Sequence, residues 1–316
     1  MTAMTSAMTS QEVAKEQLEQ ITEGKINVRP KPVEPSKADA IEYNATLQKM
    51  IKMVKKDINE ILMPQLKKLA PEYQTVDGVP YEHHKLVMDS YVDDITKTLS
   101  ALVTKWSSPQ VKEAASGVSS LFVKNAALVN RRRFNKSMKS FGLDIFGDSP
   151  SVDDLISGSA WENAKLIESI PTKYLENVQS TVMTNVRAGN RPSAMAKQLQ
   201  EQFGVTERRA QMIARDQTAK LNGDLTKQRQ QSSGFEYFQW IDSNDERVRK
   251  RHNQIENKVT AYGKGIYRWD FPPLSSKGTP IIPGQDYNCR CIAAPVTEAQ
   301  VQENKKKGNV KKGVKR

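Results

Sequence analysis

Thiols, imidazoles and long apolar runs are scarce in this 316-residue chain, and each scarcity narrows what it can be. There are two cysteines, Cys289 and Cys291, one residue apart in "PGQDYNCRCIAAPV". A disulfide across a single intervening residue would be strained. The opening "MTAMTSAMTSQEVAKEQ" has neither the basic start nor the apolar core of an export signal, so the pair reads as reduced thiols or metal ligands. Histidine is limited to three residues, and a suitable arrangement of histidine and carboxylate ligands for an HNH-like metal nuclease is not found. His83 and His84 lie in a polar stretch with no second ligand nearby, which leaves His252, alone in "DSNDERVRKRHNQ". No stretch approaches the ~18 apolar residues of a membrane span. There is no P-loop, no dinucleotide fingerprint and no G-x-S-x-G elbow, so catalysis is not the expectation.

What is present is charge. Apolar residues make up 37% and charged residues 27%, a balance suited to helices with wet surfaces rather than one thick core. Of the net +12, seven positive charges sit in the last thirteen residues, "NKKKGNVKKGVKR". The expected DNA or partner contacts are Lys305, Lys306, Lys307, Lys311, Lys312, Lys315 and Arg316 in this tail, which would bind polyanions by counterion release. Arg131, Arg132 and Arg133 in "NRRRFNK" form the strongest basic cluster elsewhere, although three consecutive residues on a helix point in three directions.

Periodicity predicts an α+β chain: an elongated, mostly helical N-terminal and middle region, then a small β-containing C-terminal module, with disordered termini. Residues 1–38 are rich in Thr, Ser, Glu, Lys and Pro and read as a disordered or partner-ordered arm. A helical region spans 39–150, with Leu47, Ile51, Val54, Ile58 and Ile61 on one stripe until Pro64, then Tyr91, Ile95, Leu99 and Leu102. A helical hairpin region spans 151–233. There Pro171 is expected in a first turn, a second helix is expected to stop at Gly204, and a third to start at a Thr206 cap. From Gly234 the aromatic and β-branched run "FEYFQWID" predicts a strand opening a module over 234–297, followed by a basic flexible tail over 298–316.

So small a module, with four prolines between Pro272 and Pro283, would make a weak core alone and needs a metal, a partner or the preceding helices. Trp240, Asp242, Asp245 and Arg249 are expected at its core, with the two aspartates pairing Arg247 and Arg249. Cys289, Cys291 and His252, with Asp286 or Asp242 as fourth ligand, meet zinc's demand for four thiolate, imidazole or carboxylate donors. The alternative is that two reduced cysteines line a strand core while His252 is hydrogen-bonded on a helix. A Cys–His catalytic dyad would need the two groups adjacent and a third group to orient the base.

From Val186 to Val296 the chain resembles the phage Mu F-type minor head proteins, also called phage head morphogenesis proteins. The helical lead-in "NVRAGNRPSAMAKQLQEQFGVTERRAQMIARDQTAKLNGD" comes first, with "IARDQ" where I-A-R-T-E is more usual. The strand "YFQWID" follows, then a D-x-x-V-R-x-x-H pattern through Asp245, Val248, Arg249 and His252, and finally "NCRC" at 288–291. The chain departs from the family where H-P-N-C-R-C is common, since Asp286 and Tyr287 precede Asn288, and "IENK" lacks a glycine turn after His252. The resemblance implies a virion component inside the head near the portal, made in the bacterial host cytoplasm. Its partners would be the portal protein and double-stranded DNA, with scaffolding or major capsid protein further candidates. It would support head assembly or DNA delivery by binding rather than turnover, in some relatives leaving with the genome. The competing readings are a metal-dependent nuclease or delivered effector within the C-terminal module, with no appended effector expected in the twenty residues after Val296, and a nucleic-acid binder that never enters the particle.

Overall fold

In the computed structural model of the chain, residues 10–22, 29–68, 83–143, 149–188 and 192–311 are described. They fall into two compact units, one from 40–121 and 160–214, the other from 1–39, 122–159 and 215–316. The elements in chain order are α1 (Ser10–Thr22), α2 (Lys37–Asp57), a π-helical turn (Ile58–Leu62), α3 (Met63–Lys68), α4 (His83–Trp106), α5 (Pro109–Phe141), α6 (Pro150–Arg187), α7 (Pro192–Ser232), β1 (Tyr237–Ile241), α8 (Lys250–Asn257), β2 (Ile266–Arg268), β3 (Ile292–Val296) and α9 (Glu298–Lys306). The α+β class holds: long helices, then one small sheet.

The unit formed by 40–121 and 160–214 is helical among the described residues. Tyr43, Leu47, Ile51 and Val54 of α2 and Ile95, Leu99, Leu102 and Trp106 of α4 are buried at three- and four-residue steps. The expected stripe slips by one residue at its end, since Ile61 is 41% exposed and Leu62 is 0% exposed. Pro64 is the cause. Its ring would collide with the carbonyl four residues back in a regular helix. The chain instead widens into the π turn, with Met63 N–H donating to Ile58 O. The extra residue carries the buried position from 61 to 62. The Tyr91 side chain, like those of His83 and His84, lies outside the described residues.

Three further boundaries differ from expectation. Pro171 is inside α6 rather than in a first turn, and Thr172 Oγ1 and Ser169 Oγ beside it bond the carbonyls of Glu168 (3.0 Å) and Leu166 (2.7 Å). α7 runs unbroken through Gly204, because the apolar positions on both sides are packed and outweigh the ~1 kcal/mol preference for alanine there. Thr206 is not a cap; its hydroxyl bonds Gln202 O in the preceding turn at 3.0 Å.

In the other unit β1 is the central strand of a sheet ordered β2-β1-β3, antiparallel throughout, with Tyr237 opposite Arg268 and Val296, and Trp240 opposite Ala293. Alternation divides β1 between two clusters. Phe238 and Trp240 join Ile255, Tyr267, Trp269, Ile281, Ile282, Cys289, Cys291 and Ala293, while Tyr237 joins Ile266, Val296 and Val301. A third cluster gathers Leu18, Val33, Phe134, Met138, Phe141, Leu143 and Phe235.

Parts of the expected arm and tail carry defined structure over their described residues. Leu18 of α1 and Val33 are buried, and the segment around Val33 is tied down through its carbonyls. Ser137 Oγ donates to Lys31 O (2.7 Å), Arg133 Nη1 to Glu34 O (2.8 Å) and Asn222 Nδ2 to Val33 O (2.9 Å). Main-chain anchoring of this kind leaves no mark in side-chain hydropathy. At the other end, Thr297 and Gln300 form a reciprocal capping box that starts α9. Gly308 (φ 70°) ends the helix in a Schellman turn, with Gly308 N–H on Lys305 O and Asn309 N–H on Asn304 O. Lys311 N–H then bonds Thr260 O at 2.9 Å.

Candidate functional site

Three loops or helix starts bring the site together, all within the unit that contains the sheet. β1 ends at Ile241 and the chain turns at Asp242, whose Oδ1 accepts from Asn244 N–H at 2.7 Å while Asn244 takes a left-handed φ of 47°. α8 then begins, placing His252 in its first turn and facing inward, 3% exposed. The third piece is the loop from Ile281 to Cys291, which leads into β3.

That loop is pressed onto α7. A Cβ on Gly223 would stand 2.4 Å from Pro283 O, and one on Gly284 (φ 93°) would stand 2.6 Å from Ala219 O, so only glycine permits this approach at either position. Further along, Asn288 adopts φ 52° and its N–H donates to Asp216 Oδ1 at 2.9 Å. Asp216 is itself buried and paired with Lys220 at 2.9 Å. A turn from Cys289 N–H to Asp286 O (2.9 Å) completes the presentation of the two sulfurs.

The outcome is a compact polar cluster inside an aromatic core. His252 Nδ1 faces Cys291 Sγ at 3.4 Å and Cys289 Sγ at 3.7 Å. On the other side of the ring, Nε2 meets Asp286 Oδ2 at 3.1 Å. Trp240 sits edge-on to the imidazole, ring centres 5.4 Å apart. Cys289 and Cys291 are 3% and 6% exposed. The hydrogen bond from Cys291, reinforced by His252, pulls the Cys289 thiol down to about 5, while the same sharing and burial push Cys291 far up. Burial pulls His252 down, but the Cys289 sulfur and Asp286 carboxylate outweigh it and leave the imidazole raised.

The residues expected at the module's core divide. Trp240 and Asp242 are buried, but Asp245 and Arg249 are exposed, because they act as surface clasps between the loop after β1 and the loop before β3. Asp245 pairs with Arg290 rather than with Arg247 or Arg249 side chains, in a two-pronged contact that includes Arg290 Nη2 to Oδ1 at 2.7 Å. Arg249 reaches the Asp286 carboxylate at 3.6 Å and donates to Tyr287 O. Asp286, expected as a ligand, instead faces the far nitrogen of His252. Asp242, the other candidate, is engaged by Asn244 N–H, by Asn253 Nδ2 (3.4 Å) and by Glu256.

The basic residues are less uniform than their sequence suggests. Arg133 is spent on Glu34 O, and Lys307 pairs with Glu303 at 3.1 Å. Arg132, Lys305, Lys306 and Lys311 are exposed and Arg131 is half-buried; Lys312, Lys315 and Arg316 lie outside the described residues. The sequence reading missed Asp216, Gly223 and Asn288. Two signals for them existed: the aspartate in "IARDQ" and a glycine inside a helical run rich in good helix formers.

Chemically the cluster has two capabilities. Cys289, His252 and Asp286 stand in the order nucleophile, base and orienting carboxylate. Its burial leaves Cys289 no approach for a substrate, however, and the second sulfur, nearer to the same nitrogen, has no part in such a relay. The other capability is to hold a soft cation, since the three donor atoms lie within 4.8 Å of one another.

Residues 176–294 match the model of the family described as Phage Mu protein F like protein. The match spans the end of α6, all of α7 and the sheet module almost to the end of β3, and it bears out the resemblance read in the sequence. Over this stretch the chain is similar to that family. An uncharacterized protein of Haemophilus influenzae (strain Rd) is 27% identical over 277 residues, 86% of this chain and 56% of that protein. The chain thus spans about half the length of the curated relative it matches. No solved structure matches it.

Proposed function

We propose that the chain is a minor component of a phage head, bound near the portal vertex, that supports head assembly and the packaging or delivery of DNA by contact rather than by turnover. The observation that carries this reading is the family match across residues 176–294, which takes in α7, the sheet and the His252–Cys291 cluster as one piece. The net charge of +12 supports a polyanionic partner, double-stranded DNA inside the particle. The exposed cations that would meet it are Arg132, Arg133, Lys305, Lys306, Lys307 and Lys311. The portal protein is the expected protein partner, with scaffolding or major capsid protein as further candidates. No helix among the described residues is long and apolar enough to cross a membrane.

The test is quantitative mass spectrometry of particles from the phage that encodes the chain, comparing DNA-filled with DNA-emptied heads. Presence at low copy in filled heads and loss from emptied ones supports a minor head protein that leaves with the genome. Retention in both supports a fixed portal-vertex part. Absence from both overturns the proposal.

A further inference from the structure

The convergence of two sulfurs on one ring nitrogen has no account in the proposed function, and it calls for one. A single Nδ1 carries a single in-plane bonding direction, so it can serve one thiol as donor or acceptor. Here it lies 3.4 Å from Cys291 Sγ and 3.7 Å from Cys289 Sγ. Nitrogen and sulfur ligands on one zinc, with bonds of about 2.0 and 2.3 Å at tetrahedral angles, stand about 3.5 Å apart. Both observed separations bracket that edge.

We propose that His252 Nδ1, Cys289 Sγ and Cys291 Sγ bind a single zinc ion that ties α8 to the loop preceding β3. Two thiolates, a neutral imidazole and a divalent cation sum to zero charge, the condition a buried site favours. Asp286 acts one step out. By accepting from Nε2–H it fixes the tautomer in which Nδ1 is free to coordinate, as carboxylates behind metal-bound histidines do. Trp240 acts there too. Its buried Nε1–H has no hydrogen-bond partner among the described residues, and the Cys291 sulfur whose charge it favours would, as a metal thiolate, be a stronger acceptor for it. The ion would also supply the help that so thin a core needs. This inference stands apart from the proposed function and would survive its failure.

The experiment uses the full chain purified without chelator. Elemental analysis is expected to find about one zinc per chain. Removing it with a high-affinity chelator is expected to lower Tm, and zinc but not magnesium to restore it. Iodoacetamide should leave both thiols unmodified in the loaded protein and label both after chelation. Cobalt replacement should give the sulfur-to-metal charge-transfer absorption of a two-thiolate site. Asp286→Asn should keep the one-to-one stoichiometry but weaken zinc 10- to 100-fold, as outer-shell substitutions typically do. Cys291→Ser should lose the stoichiometric ion; because that variant can also fail to fold, the chelator titration of the unmutated chain decides. Substoichiometric metal with a Tm indifferent to the chelator overturns the proposal. So does rapid alkylation of Cys289 alone in untreated protein, which would mark a free nucleophile.

Discussion

Glu256 and Asp242 are two carboxyls held against each other beside the candidate site. Asp242 N–H donates to Glu256 Oε1 at 3.3 Å, and burial, together with the neighbouring Asp242 charge, raises the Glu256 carboxyl above its ordinary value. A carboxyl raised on folding holds its proton longer in the folded chain. Its favourable contribution is therefore present at acid pH and is lost as pH climbs through the raised value, leaving repulsion at neutrality. Glu256→Gln keeps the acceptor for Asp242 N–H and adds an N–H toward the Asp242 carboxylate. The expected result is a higher Tm than the parent near neutral pH, worth under about 1 kcal/mol at a half-exposed position, with the difference vanishing in acid. Thermal melts from about pH 4 to about pH 8 would show it. At this scale the sequence was partly legible. Scarcity itself picked out His252, Cys289 and Cys291, because a chain with so few thiols and imidazoles that gathers them in one thin module limits their uses. Which ring nitrogen Asp286 would face, and that Asp245 would reach Arg290, depend on loop geometry set by Asn244 and Asn288 in left-handed conformations, which spacing does not encode.

Among elements, the two interior glycines of α7 make a natural contrast. At Gly204 an added Cβ meets only the end of the Arg208 side chain, at 3.5 Å, whereas at Gly223 it meets the Pro283 carbonyl. Gly204→Ala is expected to raise stability by about 0.5–1 kcal/mol through helix propensity alone. Gly223→Ala is expected to lower it despite the same propensity gain, because backbone must move, and with it the loop that carries the two cysteines. Paired denaturant titrations read the opposite signs, and equal signs would refute the close approach of loop and helix. The apolar stripes of α2, α4 and α7 were readable because their burial is periodic, and β1 because "FEYFQWID" is rich in strand formers. Helix ends were misread at Pro171, Gly204 and Thr206, where packing on both sides carried the helix past local stop signals.

For the whole molecule the charge distribution gives the sharpest prediction. Residues through Lys311 are held by the Schellman turn and the bond to Thr260 O, so deleting 312–316 removes three cations and leaves α9 and its cap intact. If these residues contact packaged DNA, the slope of log affinity against log salt should fall by about 3, at ~0.9 per phosphate neutralised. An unchanged slope would assign the polyanion contact to the cations on α5 and α9 instead. The division into two units was not legible, since apolar periodicity marks faces of helices and says nothing about which distant segments share them.

That division also bears on how the chain comes off the ribosome. The sheet-bearing unit is built from three separated stretches, and the contact between Lys15 and Glu236 spans 221 positions. Residues 40–121 and 160–214 can assemble while translation continues, but the other unit stays incomplete until α9 has emerged and its cap has closed. Any partner that recognises the finished unit would thereby engage only chains translated past Lys311, so truncated products would be passed over without a separate inspection step.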